Sequence, residues 1–275
     1  MSTSELLTAR YGELDVQLAA TARDGFNDVL SLLLEHRSVR QFVAQRLPDL
    51  TLERLIAVAQ SAANTSNLQT WSVVAIEDTE RKNRISKLVG NQAHVRDAPL
   101  FLAWVVDLSR LQRLGVEQNK PTEGLAYLDV FLAAAIDAAL AAQNVVTAAE
   151  SLGLGTVYIG GLRNQPEAVA EELNLGEGVF PIFGLCIGRP NTDKPAAIKP
   201  RLPQQAILYR EQYVRRPVEE ELGQYDAIMQ AFYQKQAMPP GTWSAQSIER
   251  VRNADSLKGR DRLAQALDGL GFPLR

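Results

Sequence analysis

The spacing of apolar residues along the chain predicts a protein in which helices and strands alternate. Phe26, Val29, Leu30, Leu33 and Leu34 recur at the i, i+3, i+4 spacing of an amphipathic helix. Similar spacing predicts further helices over 51–63, 79–89 and 166–173, and a helical region after residue 204. Short apolar runs predict strands over 71–76, 100–106, 155–159 and 179–187. Strands that alternate with helices indicate an α/β or α+β domain.

The stretch 126–151 is rich in Ala and Leu on nearly every face. A helix of this composition is either surrounded by its own protein or shared at a subunit interface. The polar segment 109–124 predicts a loop. We expect three regions, namely an N-terminal extension over 1–25 with room for a helix through Leu14 and Leu18, a single core domain over 26–203, and a helical C-terminal extension over 204–275. A tail of that length is typical of a segment that wraps a partner subunit.

Composition narrows the class of protein. At 275 residues and 46% hydrophobic content, the chain can build a large core. Its net charge of -3 argues against sequence-independent binding of nucleic acid, which needs a basic field. The first 25 residues carry charges and no uninterrupted apolar run, so we expect no signal peptide and no membrane anchor, and we predict a cytoplasmic protein. One cysteine, Cys186, and two histidines exclude an internal disulfide and a clustered zinc site.

The candidate chemistry begins at the basic stretch His36-Arg37-Ser38-Val39-Arg40. In a helical turn Arg37 and Arg40 share one face, whereas in a strand they point to opposite sides. We therefore expect a turn whose two guanidinium groups and Ser38 hydroxyl hold one phosphate. A solvated basic turn is the alternative.

A second cationic pair, Lys199 and Arg201, flanks Pro200. On the extended chain that proline favours, both cations project to one side and would bind phosphate, although two unrelated surface charges give the same pattern. Gly160 and Gly161 follow a predicted strand, where they either let backbone N–H groups approach a flat ligand or simply end the strand. Together these features indicate a planar, phosphorylated cofactor.

Familiar catalytic motifs are absent from the sequence. Gly153 and Gly155 lie where a helix runs into a strand, which is the reverse of a Rossmann fingerprint. The sequence has no Walker loop, no Gly-x-Ser-x-Gly elbow and no His-Glu-x-x-His helix. With so few His and Cys residues, the difficult chemistry must come from a cofactor.

One ordered set of motifs spans about Phe26 to Ser244. It comprises the basic stretch 36–40, Asn67-Leu-Gln-Thr-Trp71, Gln92-Ala-His94-Val, the run 149–164, Phe183-Gly-Leu-Cys-Ile-Gly188 and Lys199-Pro-Arg-Leu-Pro203. This set resembles the FMN-dependent nitroreductase family, and most of all its larger oxygen-insensitive NADPH nitroreductases and flavin reductases P.

The resemblance implies an α+β fold with a mixed sheet sandwiched by helices. It also implies a homodimer with exchanged C-terminal segments and one FMN at each of two interfacial sites. The activity implied is two-electron ping-pong transfer from NADPH or NADH to nitroaromatics, quinones or related small acceptors. The flavin N5 atom would carry the chemistry, so neither a catalytic side chain nor a metal is expected.

Carried over by position, the resemblance also assigns the site. The residues assigned to FMN are His36, Arg37, Ser38, Arg40, Asn64, Ser66, Gln92, Tyr158, Ile159, Gly160, Gly161, Lys199 and Arg201. Among them, Lys199 and Arg201 would bind the phosphate and Gln92 the ring. Ser66 and Arg163 are assigned to the substrate side.

The chain departs from the family in three places. Residues 1–25 are additional, and Asn64 stands where the family has a serine. The arginine-rich loop that grips the NADPH 2′-phosphate is replaced by 236–241, with only Lys235 nearby, so we expect weak discrimination between NADPH and NADH. Two alternatives stay open, an NAD(P)H-dependent flavin reductase and a flavin-binding protein without physiological turnover.

Overall fold

The computed structural model describes residues 1–12 and 26–275, and the predicted helix through Leu14 and Leu18 lies outside them. The described chain divides into two compact units. Unit 1 comprises Met1–Arg37 and Ala196–Ser256, and unit 2 comprises Ser38–Pro195 and Leu257–Arg275. The region boundaries expected at residues 25 and 203 do not coincide with these limits and stay a prediction.

Unit 2 is built on a four-stranded sheet with the strand order β1-β2-β4-β3. Its described strands all pair antiparallel, so they do not form the mixed sheet that the resemblance implies. The strands are β1 Trp71–Ile76, β2 Leu100–Asp107, β3 Gly155–Ile159 and β4 Val179–Gly188, as the apolar runs predict. Strand β2 is buried along its whole length because hydrophobic clusters cover both of its faces. This position explains why its sequence is a continuous apolar run rather than an alternating one.

The described chain also contains a series of α-helices. In order, they are α1 Thr3–Tyr11, α2 Asp28–Glu35, α3 Thr51–Gln60, α4 Thr79–Leu88, α5 Ala93–Asp97, α6 Ser109–Glu117, α7 Leu128–Ser151, α8 Pro166–Glu172, α9 Glu219–Lys235, α10 Trp243–Arg250 and α11 Leu263–Gly269. Helix α6 shows that the loop predicted over 109–124 is wrong in its first half. The Asp107 carboxylate accepts from the N–H and the hydroxyl of Ser109, which stabilises the start of this helix.

The long helix α7 has two different faces. Alanines 134, 138, 141 and 142 are buried and let α7 approach the sheet closely. On the other face Leu132, Ile136 and Leu140 follow each other at i+4 spacing and are exposed, Ile136 by 57%. Among the described residues α7 alone is long and apolar enough to cross a membrane, but a core helix packed on a sheet passes the same test. Packing on the sheet does not explain why Leu132, Ile136 and Leu140, the apolar ridge on the opposite face of α7, are exposed.

Unit 1 holds α1, α2, α9 and α10. Tyr225, Met229 and Tyr233 form one buried face of α9, and Trp243 packs against them with its ring 5.4 Å from that of Tyr225. Helix α1 packs against α2, and Gly12 ends it with a φ of +75°, close to Ile228 of α9. The first described residues are thus part of a packed unit.

Candidate functional site

The basic stretch 36–40 is extended, so the predicted helical turn is wrong. Helix α2 ends at Glu35, and Ser38 pairs with Thr156 of β3 in an isolated parallel bridge. The Val39 N–H donates to the Thr156 carbonyl oxygen at 2.9 Å. The Val39 side chain is buried against Gly155, where an added Cβ would lie 2.6 Å from Val39 Cγ2. The edge of β3 fixes this segment, because its unpaired backbone groups offer hydrogen bonds that a turn would leave unmade.

After β3 the chain forms a tight turn over Gly160–Asn164, and its two glycines differ. A Cβ at Gly161 would lie 2.5 Å from the Val89 carbonyl oxygen and 2.9 Å from Gln92 Nε2, so the protein itself fills that space. At Gly160 the nearest described atoms to an added Cβ are Arg163 Nη2, at 3.5 Å, and Arg260 Nη1, at 4.0 Å. The main chain at Gly160 is therefore open to a flat ligand, whereas that at Gly161 is closed.

Two guanidinium groups converge on this opening. Burial lowers the pKa of Arg163, and the charge of Arg260 lowers it further. Arg163 also donates to the Ile182 carbonyl oxygen, which fixes its direction. Arg260 comes from the segment before α11, and Gly259, at a φ of +86°, lets that segment pass over Asn164. The resemblance assigned Arg163 to the substrate side and did not point to Arg260, whose signal was the basic run around Gly259.

The remaining residues near the turn bring further polar groups together. Tyr158 is 39% exposed, its ring packs edge-on against Phe183, and burial, with a smaller effect of Glu150, raises the pKa of its hydroxyl. Gln92 donates to the Val89 carbonyl oxygen at 2.7 Å. Burial and then the charge of Arg40 lower the pKa of His94. Arg40 thus lies close enough to His94 of α5 for its charge to act on that side chain.

Asn64 and Ser66 lie in a loop that is held by α7. The Thr65 N–H donates to both carboxylate oxygens of Asp137, at 3.0 and 2.9 Å, and the Thr65 hydroxyl donates to Asp137 Oδ1 at 3.0 Å. Ser66, Asn67 and Gln69 have φ values of +49°, +56° and +53°, a conformation that costs energy for residues other than glycine. Such a backbone persists only where its surroundings hold it, and Asp137 is the anchor on α7.

Arg110 of α6 holds the other end of the same loop. Its guanidinium donates to the carbonyl oxygens of Gln69, at 2.6 Å, and Trp71, at 2.7 Å. Inside the loop Asn64 Oδ1 is buried and has no hydrogen-bond partner among the described residues. A buried amide oxygen of this kind is available to a ligand donor. Neither Asp137 nor Arg110 was identified from the sequence, although a carboxylate within the Ala-rich stretch 126–151 was a signal.

The second cationic pair belongs to unit 1. Lys199 and Arg201 are exposed and Pro200 between them is buried. The Pro200 carbonyl oxygen accepts from the Tyr225 hydroxyl at 3.0 Å. The side chain of Arg37, also in unit 1, is exposed, and that of His36 is partly buried.

These features fit a phosphorylated flavin. The open backbone at Gly160 admits a planar ring, and the orphaned Asn64 oxygen and the Gln92 amide supply polar groups of the kind that bind ring edges. Arg37, Lys199 and Arg201 of unit 1 are exposed and are cations of the kind that bind phosphate. Within residues 1–12 and 26–275, no three His, Cys, Asp or Glu side chains are grouped as metal ligands.

Comparison with known proteins gives a consistent result across the chain. The model of the nitroreductase family matches residues 33–189, and that of the nitroreductase family C-terminal domain matches 199–275. An FMN reductase (NADPH) of Bacillus subtilis is 36% identical over 231 residues, which cover 82% of this chain and 92% of that protein. An oxygen-insensitive NADPH nitroreductase of Salmonella typhimurium is 38% identical over 205 residues, 74% of this chain and 82% of that protein.

A solved structure gives the same relationship. The NADPH:FMN oxidoreductase from Vibrio harveyi complexed with NAD+ aligns with a TM-score of 0.79 at 32% identity, covering 90% of this chain and 100% of that one. The structural alignment therefore agrees with the sequence comparison.

Proposed function

The chain belongs to the nitroreductase family, and we infer that it is an FMN-dependent NAD(P)H oxidoreductase that reduces nitroaromatics, quinones or related small acceptors. The observation that carries this function is the open main chain at Gly160, which lies beside the guanidinium groups of Arg163 and Arg260. Bound FMN supplies two-electron redox chemistry that no side chain of the protein offers.

The residues proposed for the cofactor fall into two groups by their chemistry. For the phosphate we propose Lys199, Arg201 and Arg37 of unit 1, because exposed cations bind phosphate by charge-assisted hydrogen bonds, together with the partly buried His36, whose ring can donate a hydrogen bond. For the ring and its side chain we propose groups of unit 2, namely Ser38, Arg40, Asn64, Ser66, Gln92, Tyr158, Ile159, Gly160 and Gly161. Apart from Arg40 these residues are uncharged. The open main chain in the set is that of Gly160, whereas Gly161 is proposed from its position in the family pattern.

Electrostatics supplies the protein's part of the reaction. Negative charge that develops on the ring or on an acceptor at Gly160 would be stabilised by Arg163 and Arg260, which are already in place. Burial raises the pKa of Tyr158, so its hydroxyl stays a protonated hydrogen-bond donor well above neutral pH. Ser66 is proposed to contact the acceptor.

The exposed ridge of α7 supports the predicted homodimer. Leu132, Ile136 and Leu140 would be covered by a second copy of the chain, with the C-terminal segments exchanged between subunits. We expect Ile136→Asp to give monomers in light scattering and to lose FMN. A variant that remains dimeric at micromolar concentration would contradict this use of the ridge.

Partner and location follow from the same proposal. The acceptor is a small molecule, and we propose no nucleic-acid partner and no membrane partner. We propose that the protein is cytoplasmic. For the electron donor, the loop 236–241 contains no cation, so we expect NADPH to be favoured over NADH by no more than about tenfold in kcat/KM. Steady-state kinetics with both nucleotides against one acceptor measures that ratio.

One experiment tests both the cofactor and the class of activity. The purified protein should be yellow, bleach with NADPH or NADH under anaerobic conditions, and recover its colour on addition of nitrofurazone or a quinone. Bleaching without recovery by any acceptor would favour a flavin-binding protein without turnover.

A flavin reductase is the second candidate, because one relative is an FMN reductase. Free FMN would then be turned over faster than a nitroaromatic.

The phosphate assignment has its own test. Because a hydrogen bond to a charged group contributes about 1.5–3 kcal/mol, Arg37→Ala should weaken FMN binding roughly 10- to 150-fold. Unchanged FMN affinity in Arg37→Ala would rule Arg37 out as a phosphate ligand.

A further inference from the structure

Helix α1 lies outside both regions matched by the family models, yet it carries a buried arginine. Arg10 is only 7% exposed. Its Nη2 donates to the carbonyl oxygens of Leu34, at 2.7 Å, and His36, at 3.0 Å, and its Nη1 donates to that of Lys199 at 3.0 Å. One guanidinium group therefore joins two segments that are more than 160 residues apart, and both carry proposed phosphate ligands.

The hydrogen bonds from Arg10 satisfy backbone carbonyl groups at the end of α2 and at Lys199. The last turn of α2 contains no basic residue, so its terminal carbonyl groups have no cation of their own. Arg10 supplies that cation from α1. A buried guanidinium group is costly unless its N–H groups are satisfied, and carbonyl oxygens from two directions satisfy them here. The arrangement favours one fixed position of Arg37 relative to Lys199.

The segment 199–201 is held on its backbone at every residue. The Lys199 carbonyl oxygen accepts from Arg10, and the Pro200 carbonyl oxygen accepts from the hydroxyl of Tyr225. The Arg201 N–H donates to the Arg10 carbonyl oxygen at 2.8 Å. With the backbone fixed in this way, the exposed side chains of Lys199 and Arg201 are directed before any ligand binds.

We propose that Arg10 is a positioning residue for the phosphate end of the FMN site. Its guanidinium group holds the main chains from which Arg37, Lys199 and Arg201 extend, so the N-terminal helix forms part of the cofactor site. The proposal rests on the function proposed above, since these three cations are assigned there to the phosphate. Preorganised cations bind a phosphate more tightly because they lose less freedom on binding.

The test compares FMN with riboflavin, which has the same ring and lacks the phosphate. Both are titrated into the full-length, flavin-free protein and followed by flavin fluorescence. We expect Arg10→Ala to raise the Kd for FMN about 10- to 100-fold and that for riboflavin less than about threefold. The Kd of Arg10→Lys for FMN should lie between those of the wild type and Arg10→Ala, because a single ammonium cannot reach carbonyl groups on both sides as a guanidinium fork does.

Two further variants serve as references. Arg37→Ala should reduce the preference for FMN over riboflavin in the same way, since it removes a proposed ligand itself. Arg113→Ala removes an exposed arginine on α6 and should leave both affinities unchanged.

Each other outcome overturns the proposal. If Arg10→Ala weakens FMN and riboflavin equally, Arg10 only stabilises the fold. If neither affinity changes, Arg10 does not position the cations. Should Arg10→Ala fail to fold, Arg10→Lys is used instead. If its ratio of the riboflavin Kd to the FMN Kd equals that of the wild type, the proposed role of Arg10 is refuted. A wild-type protein that binds neither flavin would instead refute the proposed function, which separates the two failures.

Discussion

Asp137 offers a direct test of how the fold supports the site. Its carboxylate is 1% exposed, lies within the Ala- and Leu-rich α7, and accepts the N–H and the hydroxyl of Thr65. Asp137→Ala removes both bonds and leaves the Thr65 N–H without that acceptor. Ser66 and Asn67, which follow, keep positive φ values only while the loop is held.

The magnitude follows from these contacts. Two hydrogen bonds to a charged acceptor contribute about 1.5–3 kcal/mol each, and the cost of burying the carboxylate offsets part of the sum. We therefore expect Asp137→Ala to lower the free energy of unfolding by about 3 kcal/mol, which corresponds to a Tm lower by roughly 6–12 °C in a protein of this size. Thr65→Val removes only the hydroxyl bond and should cost about 1–2 kcal/mol.

Hydrogen exchange and thermal unfolding together measure the effect. Amide protection at Thr65 should fall in Asp137→Ala, and FMN affinity should fall with it, because Asn64 and Ser66 are proposed ligands in the same loop. Asp129→Ala, an exposed carboxylate in the first turn of α7, is the matched control and should cost less than about 1 kcal/mol. Wild-type protection at Thr65 together with an unfolding free energy within about 0.5 kcal/mol of wild type would refute the anchoring role.

Three further outcomes follow from the same structure. Arg260→Ala should raise KM about three- to tenfold for an anionic acceptor such as 4-nitrobenzoate, but not for neutral nitrofurazone, because only the anion loses a charged partner at Gly160. Equal changes in KM for both acceptors would exclude an electrostatic role of Arg260. Burial, and next the charge of Arg40, lowers the folded-state pKa of His94 below 6.5, so the unfolded state binds more protons and the free energy of unfolding should fall as pH drops through 6.5 towards the folded value. His94→Gln should therefore flatten the dependence of Tm on pH between about 7.5 and 5. Cys186 is buried and its thiol pKa is raised by that burial, so a thiol reagent should label it far more slowly in the native protein than in urea, and equal labelling rates would contradict its place in the core.

Local pattern determined much of this protein. The four strands follow from short apolar runs, and the helices over 28–35 and 51–60 follow from apolar spacing, because that spacing depends only on which side of an element faces the core. The helix over 128–151 follows instead from its Ala- and Leu-rich composition. The alternating exposure of Lys199, Pro200 and Arg201 follows in the same way from the extended chain that a proline favours. The motifs that resemble the nitroreductase family indicated its fold and cofactor as well.

The tertiary structure alone decided the partners of the buried polar groups. The stretch 36–40 is extended because its partner, Thr156, lies on a strand edge more than 110 residues away. Arg10, Asp137 and Arg260 likewise make contacts with segments far along the chain. Hydrophobic periodicity carries no information about such pairings, because a buried donor is satisfied by whichever acceptor the fold brings to it.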